Sequence, residues 1–411
     1  MRRACISLCV LFSVAAAEAD DWPRFRGANI DDVVTEKGLL TEWPAEGLKK
    51  LWSAPLGDGG GGTFAGAAVV GGKVFVPGKT RRNDVLYCLD AATGAELWKF
   101  QCATQGELGM GTGCRAVPTV KDGKVYVLNA YGVLWCLDAA KGEKLWERDI
   151  VADYKGTRPV QGMSQAPLIE GEIVVSLPGG PNASVVALDR NTGKEIWKTA
   201  SDKCAFASPQ TITIAGVRQV LCYTWDGLVA IEPKDGKEFW RFPFDDPGVG
   251  RCCAMPLVVG DTLVVSNPQK YVTAVKVTKD RDAWKADKLW DKPEQVFFFS
   301  SPVPGDGCFY YQDSKGHVVC MDLKDGAVRW SVPNVGKEHA GLVRLSATRL
   351  LATCDNGEAV LIEGTPAAGR ELARFRAVEK KQYAYAPAAV ADGRLFVRDD
   401  KTLTCFDLKS R

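Results

Sequence analysis

Residues 88–98 read Cys88-Leu89-Asp90-Ala91-Ala92-Thr93-Gly94-Ala95-Glu96-Leu97-Trp98, and the phrase returns along the chain. It recurs as Cys136-Leu137-Asp138 through Gly142 to Trp146, and as Ala187-Leu188-Asp189 through Gly193 to Trp197. Fainter copies run from Ala230 through Gly236 to Trp240 and from Cys320-Met321-Asp322 through Gly326 to Trp330. With Trp52 and Trp290 included, successive tryptophans stand 46, 48, 51, 43, 50 and 40 residues apart. A period of roughly 40 to 50 residues is that of a propeller blade or another solenoid unit.

Each period divides into four short strands. In the second, residues 116–120 precede Asp122-Gly123, and 124–128 precede Tyr131-Gly132. Residues 133–137 then lead through Lys141-Gly142 to a strand around Trp146. β-Branched and aromatic residues fill the strands, and glycine supplies the positive φ of tight hairpins. Helical repeats of this length would carry a 3.6-residue apolar period, which is absent. The third strands end near Asp90, Asp138, Asp189, Glu232, Val277, Asp322, Ile362 and Asp407, which makes eight blades. The expected fold is therefore all-β, an eight-bladed β-propeller of four-stranded antiparallel blades. The last blade lacks an outermost strand, and residues 49–56, carrying Trp52, supply one; pairing them removes two open sheet edges. Two blades depart from the pattern. The fifth expands its last turn over residues 276–288, read as a protruding loop, and the seventh has Ala373 in place of tryptophan.

Composition narrows the functional classes. The chain has 411 residues, 25% of them charged, and a net charge of +2. No basic patch stands out to hold nucleic acid. Arg2 and Arg3, the apolar stretch from Ile6 to Val14 and Ala17-Glu18-Ala19 read as a secretory signal cleaved near Ala19. The apolar stretch is too short to span a bilayer. The expected organisation is a signal segment over 1–19, an extension over 20–48 and a propeller over 49–411, periplasmic or secreted and monomeric. Twelve of the fourteen cysteines follow the cleavage point. Cys88, Cys136, Cys320 and Cys405 occupy a slot that elsewhere holds Ala187 and Ala230, so they read as small buried thiols rather than disulfide partners.

Leu-Asp-x-x-Thr-Gly-x-x-x-Trp, at 89–98, 137–146 and 188–197, resembles the repeat of pyrroloquinoline quinone (PQQ) propellers, over nearly the whole mature chain. That family includes quinoprotein alcohol dehydrogenases, and also a non-enzyme outer-membrane assembly lipoprotein that binds partner proteins. The leader Asp21-Trp22-Pro23-Arg24-Phe25-Arg26-Gly27 is similar to that of an exported bacterial subfamily. The adjacent pair Cys252-Cys253 resembles the vicinal cysteines that lie against the quinone in PQQ dehydrogenases. The resemblance also implies a Ca²⁺ site of carboxylate and amide oxygens and a carboxylate base. Glu107, Asp153, Asp245, Asp246 and Glu294 are candidates by loop position alone.

Loops from outer strand to next inner strand open on one face, and function on propellers sits on such loops. Arg115, Gln165, Ser208, Arg251 and Ser300 begin the inner strands there and are expected around the central channel; with Cys252 and Cys253 they are the candidate site residues. His317 and His339 are the only histidines, too few for a multi-histidine metal centre. Gly59–Gly62 lacks the Gly-Lys-Ser/Thr of a phosphate loop, and no Gly-x-Ser-x-Gly elbow occurs. The favoured reading is an exported scaffold that holds a protein or carbohydrate partner. The alternative is a PQQ- and Ca²⁺-dependent oxidoreductase acting on an alcohol or sugar.

Overall fold

In the computed structural model, the described residues are 21–58, 63–103, 106, 108–244, 253–267, 270–293, 295–379 and 385–409. They form eight four-stranded antiparallel sheets, each strand paired to the next in sequence except in one blade. Blade 1 is typical: Ala68–Val70 lines the channel, and Lys73–Lys79, Asn83–Asp90 and Glu96–Ala103 follow outward. The only helix among the described residues is the single turn Ile150–Asp153. The expected eight-bladed propeller is what the chain forms.

The repeated phrase joins neighbouring blades. Within blade 2, Cys136 lies directly opposite Trp146, and in blade 1 Cys88 lies opposite Trp98. Ala187 and Ala230 face Trp197 and Trp240 in the same way. A small residue is needed there because a large indole occupies the cross-strand position. The Asp carboxylate folds the following turn, as where Asp90 Oδ1 accepts from the Thr93 amide at 2.9 Å and from its hydroxyl at 2.8 Å. That turn ends on Gly94 at φ 75° and on Gly142 at φ 73°. Both glycines sit on the tryptophan of the preceding blade: a Cβ on Gly142 would stand 2.5 Å from the Trp98 ring, and one on Gly94 would stand 2.6 Å from Trp52. The indole N–H then donates to the turn's backbone, Trp98 to the Ala139 carbonyl at 3.3 Å and Trp146 to that of Arg190 at 3.0 Å. Trp197, Trp290 and Trp330 repeat the bond to Pro233, Leu323 and Thr365.

The ring closes as expected. Lys50–Pro55 is the outermost strand of blade 8 in the order Lys50–Pro55, Thr402–Asp407, Arg394–Arg398, Ala389–Ala391. Trp52 faces Cys405 there and donates to the Ala91 carbonyl of blade 1 at 3.1 Å. Cys88, Cys136, Cys320 and Cys405 are reduced thiols with no exposed surface. Burial pushes the Cys136 and Cys405 thiols up to about 12.

Both irregular blades find substitutes for the missing lock. Residues 276–288 are not a loose loop: the ladder continues through Val277↔Ala286 and Lys279↔Trp284, so the strands extend over Tyr271–Asp280 and Ala283–Pro293. Trp284 folds back onto Phe239 of blade 4 with ring centroids 5.5 Å apart. Trp240, without a turn to meet, donates instead to Gln219 of its own blade at 2.8 Å. At Ala373 the leader intervenes. Its Trp43 is buried edge-on against Phe375 at 5.4 Å.

The rest of the leader crosses the channel at the end bearing the first hairpin turns. Trp22 pairs with Val69 of blade 1 through two 2.8 Å backbone bonds, and Pro23 accepts from Val120 of blade 2 at 2.8 Å. Arg26, fully buried, donates to the Pro302 carbonyl of blade 6 at 2.6 Å and to Asp32 at 2.5 Å. Asp32 and Val34 bond the Arg344 backbone of blade 7. Positive φ at Arg26, Ile30 and Asp32 coils this stretch into a compact knot, and for β-branched Ile30 that conformation is strained.

Gly142→Ala is expected to cost about 2–4 kcal/mol, because it adds left-handed strain to a clash with Trp98. Gly123→Ala, at φ 72° but facing open space, should cost about 1 kcal/mol. Urea unfolding of the two variants checks the inter-blade lock, and equal losses would contradict it.

Candidate functional site

At the opposite end, the loops entering all eight inner strands converge on a cavity of about 220 Å³. Each blade contributes. Phe64, Arg115, Ser164, Ser208, Cys253, Phe299, His339 and Tyr385 follow one another around the wall from blade 1 to blade 8. Phe25 of the leader reaches up from the far side as part of the floor. A second void of about 90 Å³ continues past Phe25, Phe299 and His339 to Asp32. The channel is thus a cup with its open end on the loop face.

One side of the cup is an aromatic cluster. The Phe299 and Tyr385 rings stack at 5.8 Å with 14° between planes, and His339 stands edge-on to both at 6.0 and 5.7 Å. Phe64 packs against Tyr385 at 5.7 Å, and the Arg115 guanidinium lies 5.4 Å from the Phe64 ring centre. Such rings supply large apolar area with few rotatable bonds. Arg115 is held by carbonyls: Gly113, Gly111 and Gly109 accept from it at 2.5, 2.7 and 3.0 Å. Burial holds its pKa below the usual guanidinium range. Behind the wall a ring of buried amides and carboxylates fixes the loops. Asn129 Oδ1 accepts three backbone amides of its turn, and Gln312 spans from the Val335 carbonyl to the Ala340 amide. The cup is preformed.

Of the residues named from sequence, Arg115, Ser208 and Cys253 line the cup. Gln165 is buried in the wall, where its amide nitrogen donates to the Ala205 carbonyl and lies 2.7 Å from Cys204 Sγ, and its neighbour Ser164 faces the cavity instead. Ser300 likewise accepts the Gln312 amide at 3.2 Å inside the wall and leaves the cavity to Phe299. Arg251 and Cys252 lie outside the described residues, as do Glu107, Asp245, Asp246 and Glu294. Asp153 is paired with Arg148 at 2.6 Å on the loop face and does not line the cup. Sequence reasoning missed the aromatic cluster, although Phe297-Phe298-Phe299 just before an inner strand was a visible signal.

A calcium–quinone pair would need several carboxylate and amide oxygens converging on one point. Among the described residues the cup wall carries no carboxylate, and no group of three or more His, Cys, Asp or Glu side chains is arranged to hold a metal ion. Asp32, in the deeper void, is tied to Arg26. The described donor set does not fit that cofactor.

A closed ring of eight blades around a one-ended, aromatic-lined channel defines a propeller of the PQQ-like class. The chain belongs to the family whose model is described as outer membrane protein assembly factor BamB, which matches residues 37–180 and 181–411. The BamB of Burkholderia pseudomallei (strain K96243) is 28% identical over 302 residues, 71% of this chain and 71% of that protein. Quinohemoprotein alcohol dehydrogenase ADH-IIG of Pseudomonas putida is 29% identical over 205 residues, which cover 48% of this chain and only 27% of the dehydrogenase. The crystal structure of BamB from Moraxella catarrhalis matches with a TM-score of 0.61 at 17% identity, covering 89% of this chain and 98% of that one. This last likeness is one of fold.

Burial pulls the His339 imidazole down to about 4, opposed by the Asp355 carboxylate. The folded pKa lies below the unfolded value, so His339 costs stability as pH falls from about 6.5 to about 4, by up to about 3 kcal/mol. Asp32 acts with the opposite sign: burial raises it to about 6 against the pull of Arg26, so its contribution grows as pH falls through about 6. His339→Gln should therefore make the protein gain stability, relative to the parent, on going from about pH 7.5 to about pH 4.5. Urea midpoints at the two pH values measure this, and an unchanged difference would show that the His339 pKa is the same in the folded and the unfolded chain.

Proposed function

We propose that this protein is an interaction scaffold that holds a segment of a protein partner in the cup on its loop face. The observation that carries the reading is the cup itself: eight loops on a rigid ring present an apolar, aromatic-walled cavity whose far end is occupied by the chain's own leader. Loops positioned by a rigid scaffold are where binding residues concentrate, and aromatic anchors in a preformed concavity are the usual energetic centre of an interface. The similarity to BamB, named as an assembly factor, agrees with a protein partner. The signal-like segment over residues 1–19 agrees with work outside the cytoplasm.

A photo-crosslinking residue at Met110, on the lip of the cup, tests the proposal in the native cell. It should give a discrete adduct that Phe299→Ala reduces about tenfold, as expected for loss of an aromatic anchor. The same probe at Leu145, exposed on an outer strand, should give none. Adducts at both sites, insensitive to Phe299, would refute the cup as the binding site. Titration of the mature protein with PQQ and Ca²⁺ should show no saturable binding. Saturation with dye-linked alcohol oxidation would replace the scaffold reading by a quinoprotein one.

A further inference from the structure

The lip of the cup is neither uniformly apolar nor electrically neutral. Eight large hydrophobic side chains are exposed among the described residues, and six lie singly on outermost strands: Leu51, Leu97, Leu145, Ile196, Leu289 and Val328. The other two, Met110 and Val160, are exposed on the loop face, where the Gly109 amide beside Met110 donates to the Val160 carbonyl at 3.4 Å. Val160 is 77% exposed. The apolar surface of the cup therefore continues onto its rim at blades 2 and 3.

Cations gather around that rim. Arg81, Arg82, Lys155, Arg158 and Lys203 are all exposed on the loop face of blades 1 to 4. None has a salt bridge to a described residue, whereas Arg190, Arg218, Arg329 and Arg374 on the outer strands and far turns are each paired with a carboxylate, and exposed lysines such as Lys141 and Lys194 there are not. Two of the loop-face cations are posed over aromatic rings, Arg158 at 5.5 Å from Tyr131 and Lys203 at 5.8 Å from Trp225. Arg115 adds a buried guanidinium whose hydrogen bonds go to carbonyls alone. Among the described residues three exposed acids share the arc. Asp153 is neutralised by Arg148, Asp58 accepts the Arg81 amide at 3.0 Å, and Asp226 stands beside Trp225. Among the described residues the cations outnumber them, and unpaired surface charge of one sign selects partners of the other.

The geometry points to a partner of particular chemistry: an extended acidic segment of a protein carrying one bulky apolar side chain. That side chain enters the cup beside Phe299, and the flanking carboxylates meet Arg158 and Lys203 on the rim of blades 3 and 4. The inference rests on the cup being the binding site and adds the sign of the partner's charge. An apolar anchor supplies affinity here, and the collar supplies selection and on-rate.

Fluorescence anisotropy with three labelled peptides tests it on the mature protein: Asp-Glu-Phe-Asp-Glu, Asp-Glu-Ser-Asp-Glu and Lys-Arg-Phe-Lys-Arg. The first should bind about tenfold or more tighter than either of the others. Its affinity should fall about tenfold in R158E/K203E and again on raising salt from about 50 to about 300 mM. Both substitutions are at exposed positions, and an unchanged Tm confirms that the ring is intact. Equal binding of the three peptides, or indifference to R158E/K203E, would overturn the charge assignment. Tighter binding of a labelled oligothymidylate would give the collar to nucleic acid instead. If the peptide series fails while Phe299→Ala reduces the Met110 adduct in the cell, only the acidic partner falls. If the adduct survives Phe299→Ala, the cup reading falls with it.

Discussion

Everything in this molecule depends on the seating of one blade's indole under the next blade's glycine turn. The contact does three jobs with one pair of residues. The tryptophan fills the space between adjacent sheets, its N–H satisfies a turn carbonyl, and the glycine's missing Cβ lets the turn descend onto the ring face. The left-handed φ of that glycine is also what the hairpin needs. Because the same requirement is met blade after blade, the channel axis and the loop positions follow from it. Blade interfaces in such rings contribute nearly independently, which is why two irregular seams are tolerated once Trp284 and Trp43 fill them.

The leader shows how a segment without regular secondary structure becomes part of a closed fold. It borrows backbone bonds from inner strands that would otherwise present unpaired edges to the channel, at Val69, Val120 and Arg344. It also buries a cation and its carboxylate, Arg26 and Asp32, at the channel end. Breaking such a pair leaves an uncompensated charge, which is far costlier than the pair itself. The same stretch then supplies the floor of the cup through Phe25, so the far side of the binding cavity and the anchor of the chain are one structure.

The ring was legible in the sequence because its key contact has a fixed spacing: Asp, glycine and tryptophan recur at constant offsets in blades 1, 2, 3 and 6, with Glu232 in the acidic place in blade 4. Closure was legible for the same reason, since Trp52 is a lock residue with no blade before it. The fifth blade was not, because a charged segment with alternating Val275, Val277 and Ala286 reads as a loop until its strands are seen to pair. The cup was only partly legible. Its wall takes about one residue from each of eight distant loops, so no local motif marks it. The side-chain direction also turns over with every residue of a strand entrance, and Gln165 and Ser300 were named where Ser164 and Phe299 face the cavity. The leader's role had no periodic signal at all, since its partners are backbone groups from about 50 to about 370 residues away.

Blade 8 is built from both ends of the ring, with Lys50–Pro55 beside Thr402–Asp407. During synthesis the early strand emerges hundreds of residues before its partner, and it must wait as an unpaired edge with Trp52 uncovered on one side. An incomplete chain, stopped anywhere before residue 389, would keep that edge and the matching face of blade 7 open together. Completion of the protein is therefore reported by a single seam.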